Sequence, residues 1–175
     1  KDLSNTLTRI SKYGYKEFYF GETANLFIKT VNSFGGIISY EDLNNYTPVE
    51  REPISFTYRN YHVHSMPPPS SGGITLANIL NQLENLDFNN IGYHSSQHVH
   101  YMVESEKRAY ADRALYLGDP DFVNIPVDYL ISKEYALSQF ESINNKMATP
   151  SDIIYDPEYI YNEEPQETTH FTVVD

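Results

Sequence analysis

The sequence predicts an α+β fold, mostly helices with one β-hairpin and a strand at the C-terminal end. Three observations carry that prediction. Between Ser95 and Leu117, Val99, Met102, Val103, Tyr110, Ala114 and Leu117 recur at helical spacing and line one face. From Ile54 to Met66 the alternation switches to a period of two, as in paired strands. Thr168-Thr169-His170-Phe171-Thr172-Val173-Val174 is rich in strand formers and follows an acidic, proline-containing run.

Composition bounds the possibilities. At 175 residues, 40 % of them hydrophobic and 21 % charged, the chain is long enough for one domain with a core. A net charge of −12 argues against nucleic acid and against anionic membrane surfaces as partners. The absence of cysteine excludes disulfides and thiolate metal sites, and fits an exported or a cytosolic protein equally well. No signal peptide, membrane-spanning run or internal repeat is visible.

Asp2 or Ser4 is placed to cap a first helix through Leu7 and Ile10, which Gly14 stops. A second helix is expected from about Tyr15 to Ser33, with a break at Gly21. Leu26, Phe27, Val31 and Phe34 form its apolar face, and Gly35-Gly36 ends it. Glycine pairs also cradle phosphates, but no strand or flanking fingerprint accompanies this one, so it reads as a helix cap and turn. Ser39, followed three residues on by Asp42, opens a short helical turn with the pattern of a capping box.

The hairpin comes next. Ile54, Phe56 and Tyr58 share a face of its first strand, Arg59-Asn60 makes the turn, and Tyr61, Val63 and Ser65 alternate with His62, His64 and Met66. His62 and His64 thus point to one side, a spacing found in metal sites. No third ligand is evident, which leaves two partly exposed strand histidines. Pro67-Pro68-Pro69 fixes an extended entry to a helix that starts at Ser70, Ser71 or Gly72 and runs to about Leu86. Ile74, Leu76, Ala77, Ile79, Leu80 and Leu83 make that helix mostly apolar, hence buried.

Glu106 interrupts the apolar face of the long helix. It is read as a partner of Arg113, as a residue at the edge of that face, or as a catalytic carboxylate. Glu104 and Arg108 read as an i,i+4 surface pair. His94 and His98, four apart, lack a carboxylate partner for a shared metal. Leu117-Gly118-Asp119-Pro120-Asp121-Phe122 has turn composition. Two short helices are expected, from Pro126 to Leu130 and, capped by Ser132, to Phe140. Beyond Asn144 the chain becomes polar, with Pro150, Pro157 and Pro165, and reads as a mobile linker. Residues 1–150 thus form a helical and hairpin part, 151–167 an acidic linker, and 168–175 the start of a strand.

A hydroxyl residue opening a strand directly behind such a linker is where a self-cleaving precursor would place its scissile bond. A threonine hydroxyl is a poor nucleophile until a base takes its proton, and a chain-terminal threonine carries one on its own backbone. That α-amine titrates at roughly 8, whereas inside an uncut chain the same nitrogen is an amide and accepts nothing. A catalytic Thr168 therefore requires prior cleavage between Glu167 and Thr168.

Thr168-Thr169-His170-Phe171-Thr172-Val173-Val174-Asp175 resembles the autocleavage site of the γ-glutamyltranspeptidases, also called γ-glutamyltransferases or glutathione hydrolases. Three upstream stretches resemble the same family: Ser65-Met66-Pro67-Pro68-Pro69-Ser70-Ser71-Gly72-Gly73-Ile74, Ala109-Tyr110-Ala111-Asp112-Arg113 and Leu117-Gly118-Asp119-Pro120-Asp121-Phe122-Val123. The resemblance covers nearly the whole chain. It implies part of an N-terminal-nucleophile hydrolase, an αββα sandwich, with residues 1–167 from the C-terminal part of a large subunit and 168–175 from the start of a small one. Lys1, with no initiator Met, fits such a piece.

The implied reaction transfers a γ-glutamyl group from glutathione or a related donor to water or to an amino-acid or peptide amine. Thr168 is the implied catalytic residue, and Glu167-Thr168 the implied autocleavage bond. No cofactor or metal is implied. The implied partners are the remainder of the same precursor and γ-glutamyl small molecules, and the implied location is periplasmic or secreted. The family's arginine for the substrate α-carboxylate would lie upstream of Lys1, and its oxyanion glycines and second threonine downstream of Asp175. Ser70-Ser71-Gly72-Gly73 is accordingly read as structural. Glu167 departs from the glutamine common in bacterial relatives, though the attacked carbonyl is the backbone's. Other readings stay open: a poly-γ-glutamate-processing enzyme or β-lactam acylase of the same family, or a non-catalytic helical interaction domain.

Overall fold

The computed structural model describes residues 1–154. Where composition allows a single domain, the chain divides into two compact units, Lys1–Glu50 and the part from Arg51 onward.

The first unit is helical. Helices α1 (Asp2–Tyr13), α2 (Tyr15–Phe20), α3 (Glu22–Ser33) and α4 (Tyr40–Asn45) follow one another closely. Gly14 stops α1 with φ 70°, a left-handed conformation that glycine adopts without penalty. The expected break at Gly21 separates α2 from α3. It is fastened by a carboxylate that sequence reading passes over. Glu17 Oε1 accepts from Thr23 N (3.1 Å) and Thr23 Oγ1 (3.0 Å), satisfying the open start of α3, and from Arg9 Nε (2.9 Å). Ser39 and Asp42 form the expected capping box on α4.

The expected apolar face of α3 is not the buried one. Thr23, Ala24 and Ile28 are buried, while Leu26 and Phe34 are exposed. The side chain of Glu17 fixes how the start of α3 is turned, and the inward face follows from that.

The second unit is built around α5 (Gly72–Leu83). Strands β1 (Ile54–Tyr58) and β2 (Tyr61–Ser65) pair antiparallel as predicted, with Phe56 opposite Val63 and Arg59 at φ 53° in the turn. Ile54, Phe56, Ile74, Ala77 and Leu130 make the apolar core between the hairpin, α5 and α7 (Val127–Leu130). The other side of α5 meets α6 (Ser96–Tyr116) and α8 (Lys133–Glu141) through buried amides. Asn78 Nδ2 donates to Asp112 Oδ2 (2.7 Å), and Asn81 Nδ2 to the Ile131 carbonyl (2.7 Å). So α5 is largely buried as predicted, although Leu76 is exposed, and half of its burial is polar. Ser95 and Ser132 cap α6 and α8 through the amides of His98 and Tyr135. A final short helix, α9 (Ser151–Ile154), lies against α6.

Two expectations fail in this unit. Val99, Val103 and Tyr110 on α6 are exposed (51 % for Val99), whereas Glu104, Ser105, Arg108, Ala109 and Asp112 are buried. The segment from Asn144 to Ile154 is also hydrogen-bonded to α6 rather than free of it: His100 Nε2 donates to the Asn144 carbonyl (2.8 Å), and Lys107 Nζ to that of Thr149 (2.6 Å).

Gly73 shows why the Ser-Ser-Gly-Gly stretch is structural. A Cβ there would lie 2.1 Å from the Met66 carbonyl oxygen and 3.1 Å from Ile54 Cγ1. The start of α5 therefore sits directly on the exit of β2. Gly73→Ala is expected to lower stability by about 1–3 kcal/mol. Gly72→Ala, whose nearest neighbour would be Ser70 Oγ at 3.5 Å, should leave the thermal midpoint nearly unchanged.

Candidate functional site

Glu167 and Thr168, with the strand that starts there, lie outside the described residues. The described residues hold a polar cluster on the buried face of α6.

A helix of 21 residues offers side chains at i, i+3 and i+4 to one another, and Glu104, Lys107 and Arg108 have that spacing. Glu104 is 1 % exposed and Arg108 4 %. A carboxylate this buried must be matched by charge and hydrogen bonds to remain ionised. Arg108 Nη1 donates to Glu104 Oε2 (2.8 Å), Lys107 Nζ pairs with Oε1, and the Thr149 amide donates to Oε1 (3.0 Å). Burial by itself would raise the pKa of Glu104; hydrogen bonds from Lys107, Arg108 and Thr149 outweigh it and hold the pKa at about 2. Arg108 extends the grip, donating through Nε to Ser142 Oγ (2.8 Å) and through Nη2 to the Ser142 carbonyl (3.1 Å). The pair expected on the surface is thus the most buried ion pair among the described residues.

A second polar group lies along the same helix. Asp112 accepts from Asn78 and from Tyr135 Oη (2.7 Å), and Gln139 Nε2 donates to Tyr135 Oη (2.6 Å). Burial raises Asp112 above the usual carboxylate range despite these donors, and burial with the neighbouring carboxylate raises the Tyr135 phenol. Two neutral donors and no cation on Asp112 are what join α5, α6 and α8.

The three upstream landmark stretches come together here. Arg113 Nε donates to Ser71 Oγ (3.1 Å), and Pro67, Pro68 and Pro120 line a shared groove of about 400 Å³ with Arg51, Val123 and Ile125. Arg51 Nη2 reaches Asp121 Oδ1 at 2.8 Å, tying the strand entry to the Asp-Pro-Asp turn. Residues far apart in sequence thus brace the start of α5.

The remaining candidates do not assemble into a reactive centre. Glu106 is partly buried on α6, two residues on from Glu104 and so about 200° round the helix from it. His62 and His64 are exposed on β2, and His64 Nδ1 lies 2.8 Å from Ser55 Oγ. His94 stacks on Tyr93, and its backbone amide donates to His98 Nδ1 (3.1 Å), which occupies one ring nitrogen of that pair. Among the described residues no three His, Cys, Asp or Glu side chains gather to hold a metal, and no helix is long and apolar enough to cross a membrane. Sequence reading missed Lys107 and Thr149 altogether. The only signal for them was the Glu-x-x-Lys-Arg spacing, which surface helices share.

Comparison with known proteins gives concordant matches. The family model described as gamma-glutamyltranspeptidase matches residues 1–175. The glutathione hydrolase proenzyme of Escherichia coli K12 is 47 % identical over 174 residues, covering 99 % of this chain and 30 % of that protein. The acylase ACY 1 proenzyme of Pseudomonas sp. SE83 is 36 % identical over 179 residues, 99 % of this chain and 30 % of that one. The crystal structure of Helicobacter pylori gamma-glutamyltranspeptidase superposes with a TM-score of 0.81 at 43 % identity, over 95 % of this chain and 47 % of that one. The chain therefore spans about a third of the length of these curated relatives.

The acidity of Glu104 has a measurable consequence. Its folded-state value lies below the ordinary 4.5, so the stabilisation is complete above that pH and is lost as pH falls toward 2. It amounts to on the order of 3 kcal/mol at neutral pH. Glu104→Gln, which leaves the Arg108 guanidinium buried without its partner, is expected to cost about 3–5 kcal/mol at pH 7. Chemical denaturation should show that gap shrinking as pH is lowered to 2.5.

Proposed function

Because the chain belongs to the γ-glutamyltranspeptidase family, we propose that it supplies the nucleophile of a γ-glutamyl transfer enzyme, Thr168, after cleavage at Glu167-Thr168. The match across residues 1–175, which includes the Thr-Thr-His stretch, is the observation that carries this reading.

In maturation Thr168 Oγ attacks the Glu167 carbonyl carbon and the peptide C–N bond breaks, giving an ester and a free α-amine. Water then hydrolyses the ester, leaving a carboxylate on Glu167. In turnover the α-amine of Thr168 takes the Oγ proton as Oγ attacks the γ-glutamyl carbonyl of glutathione or a related donor. The donor's amine leaves with that proton, and a γ-glutamyl ester remains on Thr168. Water or an amino-acid or peptide amine next attacks the ester, and its proton returns by way of the α-amine to Oγ. No step requires a cofactor. The rest of the precursor is the partner that completes the substrate pocket, and a periplasmic or secreted location rests on the family resemblance.

An acylase of the same family is the second reading, favoured by the 36 % identity to an acylase proenzyme. Activity of the full-length product toward γ-glutamyl-p-nitroanilide and toward a glutaryl β-lactam separates the two.

Full-length wild-type protein is expected to split into two chains, the smaller one starting at Thr168. Thr168→Ala should stay whole and lose at least about 10³-fold in turnover. The 175-residue piece alone should not turn over γ-glutamyl-p-nitroanilide. Normal splitting and activity in Thr168→Ala would refute the nucleophile assignment.

A further inference from the structure

We propose that the outward apolar stripe of α6 is a docking face for another part of the same precursor, a segment that is apolar and brings one lysine or arginine to Glu106. This rests on the reading of the precursor's remainder as the partner of this chain, and is independent of the role given to Thr168.

An amphipathic helix at the outside of a protein turns its apolar side inward. Helix α6 does the reverse. Glu104, Ser105, Arg108 and Asp112 are buried, whereas Val99, Val103, Tyr110 and Ala114 are exposed on the opposite side. With Glu106 between them, these residues succeed one another every three or four positions, which makes one continuous stripe about 22 Å long. Single exposed hydrophobic residues are ordinary; a continuous run of them marks a contact surface. Along one edge of the stripe, His100 and Lys107 are bound to the backbone of Asn144 and Thr149. The polar side of α6 is thus satisfied within this chain, and its apolar side is shaped for a second layer.

Glu106 decides what that layer is. Among the described residues it has no hydrogen-bond or ion-pair partner, unlike Glu104 and Asp112 on the same helix. The cations nearest in sequence are engaged: Lys107 and Arg108 with Glu104, and Arg113 with Ser71. A purely apolar cover would strip water from the Glu106 carboxylate and leave its charge unanswered. A second copy of this chain fits no better. Glu106 lies near the middle of the stripe, so a two-fold pairing of stripes would set two glutamates against each other. The net charge of −12 opposes self-association and anionic lipid alike.

An apolar segment carrying one cation answers both features, and the relatives have the chain to supply it. The matched part is 30 % of the Escherichia coli proenzyme and 47 % of the Helicobacter pylori chain. On this assignment the stripe looks like a core face in the sequence because it is one, with its partner lying outside these 175 residues.

The test uses the full-length product with p-benzoylphenylalanine in place of Tyr110. On irradiation the probe is expected to join a peptide of the same molecule from outside residues 1–175, identified by mass spectrometry. Mixing light and isotope-labelled protein separates one copy from two. An adduct to a second copy, to a peptide within residues 1–175, or to no peptide at all overturns the docking face.

Charge reversal is the second arm. On a solvated face of an acidic protein Glu106→Lys is neutral or stabilising. Against a docked cation it is expected to lower the thermal midpoint of the full-length protein by at least about 4 °C. Changing the lysine or arginine of the crosslinked peptide to glutamate should then recover at least half of that loss. A midpoint that is unchanged or raised in Glu106→Lys overturns the proposal. Wild-type γ-glutamyl turnover with a failed crosslink removes the docking face alone, whereas a correct crosslink without turnover removes the proposed activity and leaves the docking face standing.

Discussion

A carboxylate without water around it has to be answered by positive charge and donated hydrogen bonds, and Glu104 on α6 is answered by three partners, Arg108, Lys107 and the Thr149 amide. Its demands turn the helix. Once Glu104 and Arg108 face inward, residues three and four away on the same side follow them, and Ser105, Ala109 and Asp112 are buried with them. The apolar stripe that the sequence displays so clearly is left facing outward. Arg108 and Glu104 then reach across to Ser142 and Thr149 and hold those residues against the helix.

The first unit uses the same device on a smaller scale. Glu17 gathers Arg9 and both donors of Thr23, and so turns a break at Gly21 into a fixed corner. Its acidity reflects the same contest: burial pushes it up, and the Thr23 and Arg9 hydrogen bonds prevail and lower it. In both units a short-range carboxylate decides which face of a helix is inside. Apolar contacts then fill the space that remains.

Around α5 the two kinds of contact divide the labour. On one side Ile74 and Ala77 pack under the hairpin with Ile54 and Phe56; on the other Asn78, Asn81 and Gln82 are buried among α6 and α8. The landmark stretches of the family converge at its N-terminal end, where Gly73 permits contact with Met66 and Ser71 meets Arg113.

The sequence alone determined whatever depends on neighbours in the chain. Helix stops at Gly14 and Gly35, caps at Ser39 and Ser132, and the hairpin are local, because a few adjacent residues decide their backbone angles and hydrogen bonds. The family was legible for a related reason, since its motifs are contiguous. What only the tertiary structure decided was which way α3 and α6 face and where the polar tail begins to be held. Glu104, Arg108 and Thr149 look like surface residues until Lys107 and Ser142 are placed beside them. A charge is worth burying only when distant partners arrive, and spacing along one helix does not record their arrival.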